Sequence, residues 1–168
     1  MTTSTSSRTT SASSRNVTTV VIAFGSNLGD RAYNIARAID ALAPYVRVVR
    51  VSNIIETDAV DAPIGSPRFL NAVIVGHTTL APLTLLDAML RIEARLGRVR
   101  RGVRNAPRVI DLDLIMHGAT RMRSTRLTLP HPRACEREFV MRPLRELWSG
   151  GPWPAGLLSV GQAPPLQR

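Results

Sequence analysis

Segments rich in β-branched residues alternate with segments of helical periodicity along this chain, and their order restricts the fold. Val, Ile and Thr dominate four runs of the kind that pack well in a sheet. The order strand, helix, strand, strand, helix, strand is that of a ferredoxin-like α+β domain, in which helices pack on one face of an antiparallel sheet. The other face is then free to carry long loops. The strands are predicted at 17–25, 45–57, 69–78 and 109–118, and the helices within 26–42 and 79–97.

Each predicted helix has recognisable start or stop signals. Asp30 is expected to cap the first helix, while Pro82 lies in the first turn of the second helix and Gly97 closes it. Apolar residues recur at helical spacing in both segments, so each helix should turn one face to the sheet. These faces are predicted to contain Ala32, Ile35, Ala36, Ile39 and Leu42 in the first helix, and Leu86, Met89, Leu90 and Glu93 in the second.

The two ends of the chain differ in composition from its centre. Residues 1–16 are rich in Ser and Thr and contain no acid, which is typical of a disordered extension. Residues 149–168 form a tail rich in Gly and Pro. A single folded domain is therefore expected over 17–148. Within it, a hairpin arm is predicted at 119–133 and a short helix, interrupted by Pro143, at 134–147.

The cysteine content and the apolar runs bear on the cellular compartment. Cys135 is the one cysteine of the chain, so no internal disulfide can form, which suits a reducing environment. No apolar run approaches the ~20 residues that a membrane span needs. A cytoplasmic protein without membrane contact is expected.

The basic residues are unusual because all 22 of them are arginine, and they give the chain a formal charge of +10. The absence of lysine excludes a phosphate-loop lysine, a protein-kinase strand lysine and a Schiff base. A site for phosphate groups would have to use arginine and metal ions, and the planar guanidinium group binds phosphate oxygens in pairs.

Two acids, Asp111 and Asp113, interrupt an otherwise apolar predicted strand. Alternation along a strand places them on one face, about 7 Å apart, where both carboxylates can bind the same one or two cations. The opposite face is predicted to contain Ile110, Leu112, Leu114 and Met116. Taken alone, this short and common pattern favours an edge strand with solvated acids on its wet face. Glycosyltransferases also use an Asp-x-Asp pair to hold a metal and a nucleotide sugar.

A basic loop at 98–108 precedes these acids. Arginines beside a carboxylate pair are what a triphosphate with bound Mg²⁺ requires, because the metal and the guanidinium groups neutralise different oxygens. The combination favours a nucleotide-phosphate site. The alternative is a solvated or nucleic-acid-binding patch on a basic ferredoxin-like domain. The loop contains Arg98, Arg100, Arg101, Arg104 and Arg108.

Further candidate ligand contacts lie on other segments. Phe69 and Asn71 share one strand face, where an aromatic ring can stack on a flat ligand and a side-chain amide can pair with its edge. Phe139 offers a second ring, and His131, held between two prolines, can donate a hydrogen bond to a phosphate oxygen. Core packing for the rings and a turn position for the histidine are the simpler alternatives.

Three stretches of the sequence together resemble a known family. "AFGSNLGDR", "RNAPRVIDLDLIMHG" and "LTLPHPR…REFVMRPL" occur in the order and at the spacing found in the 6-hydroxymethyl-7,8-dihydropterin pyrophosphokinases of folate biosynthesis, over about residues 19 to 147. The resemblance implies a ferredoxin-like fold with long substrate loops. It also implies transfer of the β,γ-pyrophosphoryl group of ATP to the pterin hydroxymethyl group, with release of AMP. A monomer that binds these two substrates, and no nucleic acid, is expected.

The resemblance also implies roles for individual residues. Asp111 and Asp113 would hold two Mg²⁺ ions, and Arg98 and Arg108 would clamp the phosphates and stabilise the charge of the transferring group. The whole ATP site would comprise Glu93, Arg98, Arg100, Arg108, Leu114, Arg126, Thr128, His131 and Arg137, of which Leu114, Arg126 and Thr128 line the adenine side. The pterin site would comprise Thr57, Asp58, Val60, Phe69, Asn71 and Phe139.

Overall fold

The computed structural model of this protein describes residues 16–59, 65–99 and 106–147. Residues 1–15 of the predicted N-terminal extension and the predicted C-terminal tail lie outside the described residues, as do the predicted site residues Val60 and Arg100. Within the described ranges, none of the helices has the length and apolar character that crossing a bilayer requires.

An antiparallel sheet forms the centre of the structure, as predicted. The order of its strands is β2-β4-β1-β5, and β3 also pairs with β4. This is the arrangement expected from the ferredoxin-like order of elements. The strands are β1 (Thr18–Ser26), β2 (Arg47–Val51), β3 (Ile55–Thr57), β4 (Phe69–Thr78) and β5 (Asp111–His117).

The predicted strand at 45–57 is in fact two strands, β2 and β3, separated at Ser52. The Ser52 hydroxyl accepts a hydrogen bond from the Val73 backbone N–H (2.9 Å), and the Ser52 N–H donates to the Val73 carbonyl (3.0 Å). Because a side chain takes the place of a backbone acceptor there, the ladder of backbone hydrogen bonds is interrupted. The interruption leaves β3 as a separate short strand beside Phe69 and Asn71.

Two helices, α1 (Arg31–Leu42) and α2 (Pro82–Arg95), cover one face of the sheet, which we call the helix face. Asp30 caps α1 as predicted, because its carboxylate accepts from the Tyr33 N–H at 3.1 Å. The predicted buried faces are partly wrong. Ala32 and Ala36 are exposed, and Leu86 and Leu90 are only partly buried, because the stripes that meet the sheet are shifted around both helices. The fully buried residues are Ile35, Ala38 and Leu42 in α1, and Leu85, Ala88, Met89, Ile92 and Glu93 in α2.

A third helix packs on the opposite face of the sheet, which we call the open face. A single 3-10 turn (Ala134–Glu136) leads into α3 (Glu138–Leu147), whose apolar residues contact Val73, Val75 and Ile115. The predicted interruption at Pro143 is wrong, since α3 runs through it, and the break in helical structure falls at Arg137 instead. This helix covers only part of the open face and leaves uncovered the end of the sheet where β1 ends and where β4 and β5 begin.

A β-bulge divides β5 into two halves. Leu114 pairs with Ile22 and Met116 pairs with Val21, so Ile115 is an extra residue in β5. The predicted placement of Met116 beside Leu114 is therefore wrong. Ile115 and Met116 pack on the open face against α3, whereas Leu112 and Leu114 pack on the helix face. The half of β5 before the bulge keeps the predicted alternation.

The predicted hairpin arm is present as β6 (Met122–Arg123) paired with β7 (Thr128–Leu129). Leu127 and Leu129 are buried against the helix-face core. The arm thus extends that core beyond the edge of β5.

We expect Asp30→Ala to lower the free energy of unfolding by about 1 kcal/mol, because it leaves a first-turn N–H of α1 without its acceptor. Asp40→Ala is the matched control, since Asp40 is an exposed acid near the C-terminal end of the same helix, where negative charge is unfavourable. Urea unfolding at pH 7 measures both variants. Equal losses in the two variants would contradict the capping role of Asp30.

Candidate active site

A cavity of about 600 Å³ opens on the uncovered part of the open face. Its floor is the end of β1. There Ala23 has only a methyl group and Gly25 has no side chain, so neither residue fills the cavity. The wall residues come from both edges of the sheet and from the start of α3. Described residues of the lining are Ala23, Phe24, Gly25, Thr57, Asp58, Phe69, Asn71, Arg98, Arg108, Asp111, Asp113, Arg133, Glu136, Arg137, Glu138 and Phe139.

Asp111 and Asp113 both face the cavity, as the alternation along β5 predicts. Asp111 pairs across the sheet with Gly25, and Asp113 pairs with Ala23. Because residues directly opposite each other share a sheet face, the two carboxylates stand beside the bare floor that Gly25 and Ala23 provide. The side chains are 20% and 35% exposed, so solvent and ligands can reach them.

Three arginines contact the two carboxylates. The Arg98 guanidinium group bridges Asp111 and Glu93, and the Arg108 Nε lies 3.3 Å from Asp111 Oδ2. Arg137 donates to Asp113 Oδ2 at 3.2 Å. The Arg108 Nε is buried and has no partner in hydrogen-bonding geometry among the described residues. The Nε group is therefore in an ion pair with Asp111 but not in a well-oriented hydrogen bond.

The two carboxylates differ in their electrostatic surroundings. Burial, reinforced by the negative charge of Asp111, raises the pKa of Asp113 to about 6, against the opposing effect of Arg137 and Arg108. A cation bound between the carboxylates would remove this repulsion. The free protein therefore carries an unfavourable charge at the position where a metal ion would relieve it.

Two phenylalanine rings form walls of the cavity, and each ring is stacked by an arginine. The guanidinium carbon of Arg108 lies 5.4 Å from the centroid of the Phe69 ring, and that of Arg137 lies 5.4 Å from the centroid of Phe139. Cation–π contacts of this kind fix the orientation of both partners. The orientation of each phenylalanine ring is therefore linked to the orientation of one guanidinium group.

Asn71 lies between the aromatic walls and the carboxylates. Its amide nitrogen donates to Thr57 Oγ1 at 2.9 Å, and this bond orients the amide group. Gly25 pairs with Asn71 on one side and with Asp111 on the other, so about 10 Å, two strand spacings, separates Asn71 from Asp111. This span suits a flat bicyclic ring with a short arm that reaches toward the carboxylates.

Asp58 is held at the rim of the cavity by a group of ion pairs. Arg68 Nε lies 2.9 Å from Asp58 Oδ1, and Arg68 Nη1 lies 2.9 Å from Glu56 Oε2. Arg31 Nη1 contacts the other oxygen of Glu56 at 2.7 Å. These exposed pairs connect β3, the start of β4 and the start of α1 beside the predicted pterin residues.

Four predicted nucleotide-side residues, Glu93, Leu114, Arg126 and Thr128, lie off the described cavity wall. Glu93 is 2% exposed, and its Oε1 accepts from the Leu112 N–H at 2.8 Å and from Arg98, so it supports β5 from below. Leu114 is buried in the helix-face core, so only its main chain can contact a ligand. Arg126 pairs with Asp87 of α2, and Thr128 lies in the hairpin arm.

His131 also lies off the described cavity wall, and its surroundings fix its charge. Burial, assisted by the positive charge of Arg137, lowers the pKa of His131 to about 4. Its Nδ1 accepts from the Arg133 N–H at 3.2 Å, so the proton of the neutral ring resides on Nε2. His131 can therefore donate through Nε2 but carries no charge near pH 7.

The structure adds residues that the sequence analysis did not assign. Arg133, Glu136 and Glu138 line the cavity around Arg137 and Phe139. The position of Glu136 and Glu138 on either side of Arg137 was an available signal, whereas Arg133 lies four residues before Arg137. Asn27, in the "AFGSNLGDR" stretch, is buried next to the site, and a small polar residue at the end of a buried strand was the only signal for it.

The donor set fits magnesium. Mg²⁺ is usually bound by one or two carboxylates together with substrate phosphates and water, not by a full set of protein ligands. In the described residues no group of three or more His, Cys, Asp or Glu side chains is placed to hold a metal, which leaves Asp111 and Asp113 as a two-carboxylate site. The described residues of the wall include four arginines and five acids.

Comparison with known proteins shows the family. The model of the family described as 7,8-dihydro-6-hydroxymethylpterin-pyrophosphokinase (HPPK) matches residues 21–149. The chain belongs to this family. The match includes the whole sheet from the fourth residue of β1 onward, the three helices and every described residue of the cavity wall.

Curated relatives agree with this placement. The chain is 42% identical over 130 residues to a 2-amino-4-hydroxy-6-hydroxymethyldihydropteridine pyrophosphokinase of Pseudomonas aeruginosa, covering 76% of this chain and 79% of the relative. It is 40% identical over 131 residues to a protein of the same name from Bacillus subtilis, covering 75% of each. It is 43% identical over 129 residues to a folate synthesis bifunctional protein of Arabidopsis thaliana, covering 76% of this chain but 26% of that one. The chain thus spans about a quarter of the length of the plant relatives it matches.

Solved structures support the fold. The Plasmodium falciparum HPPK-DHPS wild type with pteroate matches with a TM-score of 0.57 at 14% identity, covering 77% of this chain and 38% of that chain. An HPPK-DHPS in complex with substrates matches with a TM-score of 0.57 at 13% identity, covering 79% of this chain and 40% of that chain. At such low identity the likeness concerns the fold alone.

The raised pKa of Asp113 predicts a stability change with a defined pH dependence. The folded protein holds this proton up to about pH 6, whereas the unfolded chain loses it near the ordinary value of 3.8, so ionisation destabilises the folded state as the pH rises through this window. Asp113→Asn, which cannot ionise, should therefore be more stable than wild type above pH 6 in metal-free buffer, and the difference should vanish near pH 4.

Asp111→Asn provides the control for this comparison. Asp111 contacts Arg98 and Arg108, so loss of its charge removes the ion pair of Arg108 and one of the two acidic partners of Arg98, which keeps Glu93. We expect this variant to be less stable than wild type at pH 7.5. Thermal unfolding across pH 4–8 measures both variants, and an Asp113→Asn protein that is destabilised at pH 7.5 would refute the electrostatic interpretation.

Proposed function

We propose that this protein transfers the β,γ-pyrophosphoryl group of ATP to the hydroxymethyl group of 6-hydroxymethyl-7,8-dihydropterin and releases AMP. The observation that carries the proposal is the cavity itself. It brings together on the open face a pair of carboxylates, the three guanidinium groups that contact this pair, and two aromatic rings. Membership of the HPPK family agrees with this chemistry.

The protein groups divide between the two substrates. Phe69, Phe139 and Asn71, with Thr57 and Asp58 at the rim, would bind the pterin, since two rings can stack on its faces and the Asn71 carbonyl oxygen can accept from its edge. Arg98, Arg108 and Arg137 would bind the triphosphate, and His131 would donate to it through Nε2–H. The wall near Asp111 and Asp113 would then hold the pterin hydroxyl group close to the β-phosphorus.

Such a reaction depends more on position and charge than on a strong base. Transfer to phosphorus needs the acceptor oxygen and the leaving oxygen in line, and most of its catalysis comes from orientation and neutralisation. Mg²⁺ supplies charge neutralisation of the phosphates when it is bound. The arginines stacked on Phe69 and Phe139 would connect the two halves of the site, because a ring that positions the pterin also positions a guanidinium group.

We propose further that Asp111 and Asp113 hold two Mg²⁺ ions together with ATP. Mg²⁺ would add positive charge beside the two carboxylates, where the triphosphate would bind. The adenine side would be formed by Leu114, Arg126 and Thr128 near the hairpin arm, with Glu93 supporting β5 and Arg98. The folded domain is proposed to extend over 17–148. The monomeric state, the cytoplasmic location and the absence of nucleic-acid binding stay predictions.

Product analysis tests the reaction directly. Incubation of the protein with ATP, Mg²⁺ and 6-hydroxymethyl-7,8-dihydropterin should give AMP and the pterin diphosphate in equal amounts. Asp111→Ala and Asp113→Ala should each abolish turnover, because they remove a metal ligand, while Asp40→Ala on the exposed surface of α1 should turn over like wild type. Formation of ADP, or full turnover by either cavity variant with its fold retained, would refute the proposal.

The aromatic walls give a second test. Phe139→Ala removes one stacking surface, and by analogy with base stacking the loss should raise the Kd for the pterin by roughly ten- to a hundredfold. The Kd for ATP in the presence of Mg²⁺ should change much less, although Arg137 loses its ring partner. Isothermal titration with each substrate separates these effects. An equal loss of affinity for both substrates would show that Phe139 is not a pterin wall.

A further inference from the structure

Asn27 is a polar residue directly after β1, and only 2% of its surface is exposed to solvent. It does not line the cavity. Burial of an amide group is unfavourable unless its hydrogen-bonding groups are satisfied. The partners of Asn27 therefore indicate what holds it in place.

Three hydrogen bonds connect Asn27 to two separate segments of the chain. Its Oδ1 accepts from the Arg108 N–H at 2.7 Å, and its own N–H donates to the Arg108 carbonyl at 3.1 Å. Its Nδ2 donates to the Pro67 carbonyl at 3.1 Å. One residue thus fixes the main chain just before β4 and the main chain just before β5.

These two main-chain positions carry opposite halves of the site. Pro67 lies two residues before Phe69, on the side proposed for the pterin, and Arg108 contacts Asp111 on the side proposed for the phosphates. The Arg108 guanidinium group lies over the Phe69 ring, 5.4 Å from its centroid. This stacking contact and the hydrogen bonds of Asn27 both constrain the distance between the two halves, and the Ser26 hydroxyl, which donates to the Val109 carbonyl at 2.6 Å, adds a further link on the Arg108 side.

We infer that Asn27 is a positioning residue that sets the placement of the phosphate-binding Arg108 relative to the pterin wall Phe69. The inference rests on the proposed function for its kinetic consequences. Asn27 touches neither substrate and acts through the main chain of Pro67 and Arg108. Loss of the Asn27 side chain should therefore lower kcat for the transfer between the two bound substrates more than it weakens the binding of either substrate alone.

The neighbourhood provides a matched control. Asn34 lies on α1, and its Nδ2 donates to the Leu28 carbonyl at 2.9 Å and contacts Ser26 Oγ at 3.4 Å. It stabilises the same turn after β1, but in the described part of the chain its amide group bonds to Leu28 and Ser26 and not to Pro67 or Arg108. Asn34→Ala therefore removes amide hydrogen bonds of the same kind without breaking the connection between the two halves.

Kinetics on correctly folded protein provide the first readout. Asn27→Ala should lower kcat about tenfold or more, as expected for a displacement of reacting groups by a fraction of an ångström, with the Kd of each substrate alone within about threefold of wild type. Asn27→Asp keeps an acceptor for the Arg108 N–H but loses the donor to Pro67, so it should raise the KM for the pterin more than the KM for ATP. Asn34→Ala should keep the wild-type kcat.

Amide exchange of Arg108 provides a readout that is independent of turnover. The Arg108 N–H should exchange faster in Asn27→Ala and at the wild-type rate in Asn34→Ala, which NMR measures residue by residue. If wild type forms no AMP, the proposed function fails, and this exchange measurement still decides whether Asn27 fixes Arg108. The inference is overturned if Arg108 exchange is unchanged in Asn27→Ala, or if both alanine variants reduce kcat equally. A loss of activity that equals the unfolded fraction would also overturn it.

Discussion

The site depends on two carboxylates that a central sheet presents to the same small space. Strand alternation places Asp111 and Asp113 on the open face, and the register with β1 sets them opposite Gly25 and Ala23, where no side chain blocks access. Burying two acids so close together is unfavourable, which the raised pKa of Asp113 expresses. Arg98, Arg108 and Arg137 offset part of that cost in the free protein.

The two faces of the sheet have separate tasks. The helix face is closed by α1 and α2 over a continuous apolar core, which also receives the buried residues of the hairpin arm. The open face is closed only in part, by α3, and the start of this helix contributes Arg137 and Phe139 to the cavity. The same helix therefore stabilises the far half of the face and supplies one wall of the near half.

Residues whose role follows from local periodicity were predictable from the sequence. The order of strands and helices, the cap at Asp30 and the shared face of the two acids of β5 agree with it, whereas the meeting of Phe69, Asn71 and Phe139 with the arginines was implied by the family resemblance and not by periodicity. The register of one strand against another was not predictable, because it depends on contacts between distant residues. The bulge at Ile115, the division between β2 and β3 and the position of Glu93 beneath β5 are of this kind.

Asn27 shows the limit in another form. Its residue type and its place after a buried strand are visible in the sequence, but its partners Pro67 and Arg108 are 40 and 81 residues away along the chain. Only the fold brings these segments together. Long-range hydrogen bonds made by one small polar residue leave no periodic signal, so a hub of this kind is found from a structure and not from a pattern.

The bulge in β5 has a consequence for how such a strand tolerates changes in length. Deletion of Leu112, between Asp111 and Asp113, would shift the alternation of the strand by one residue and turn one carboxylate into the apolar core under α1 and α2. Losing Ile115 would instead restore a regular ladder and leave both acids where they are, while altering only the contacts with α3. The extra residue thus separates the half of β5 that carries the acids from the half that packs against α3, so the sequence of one half can change without altering which way the side chains of the other half face.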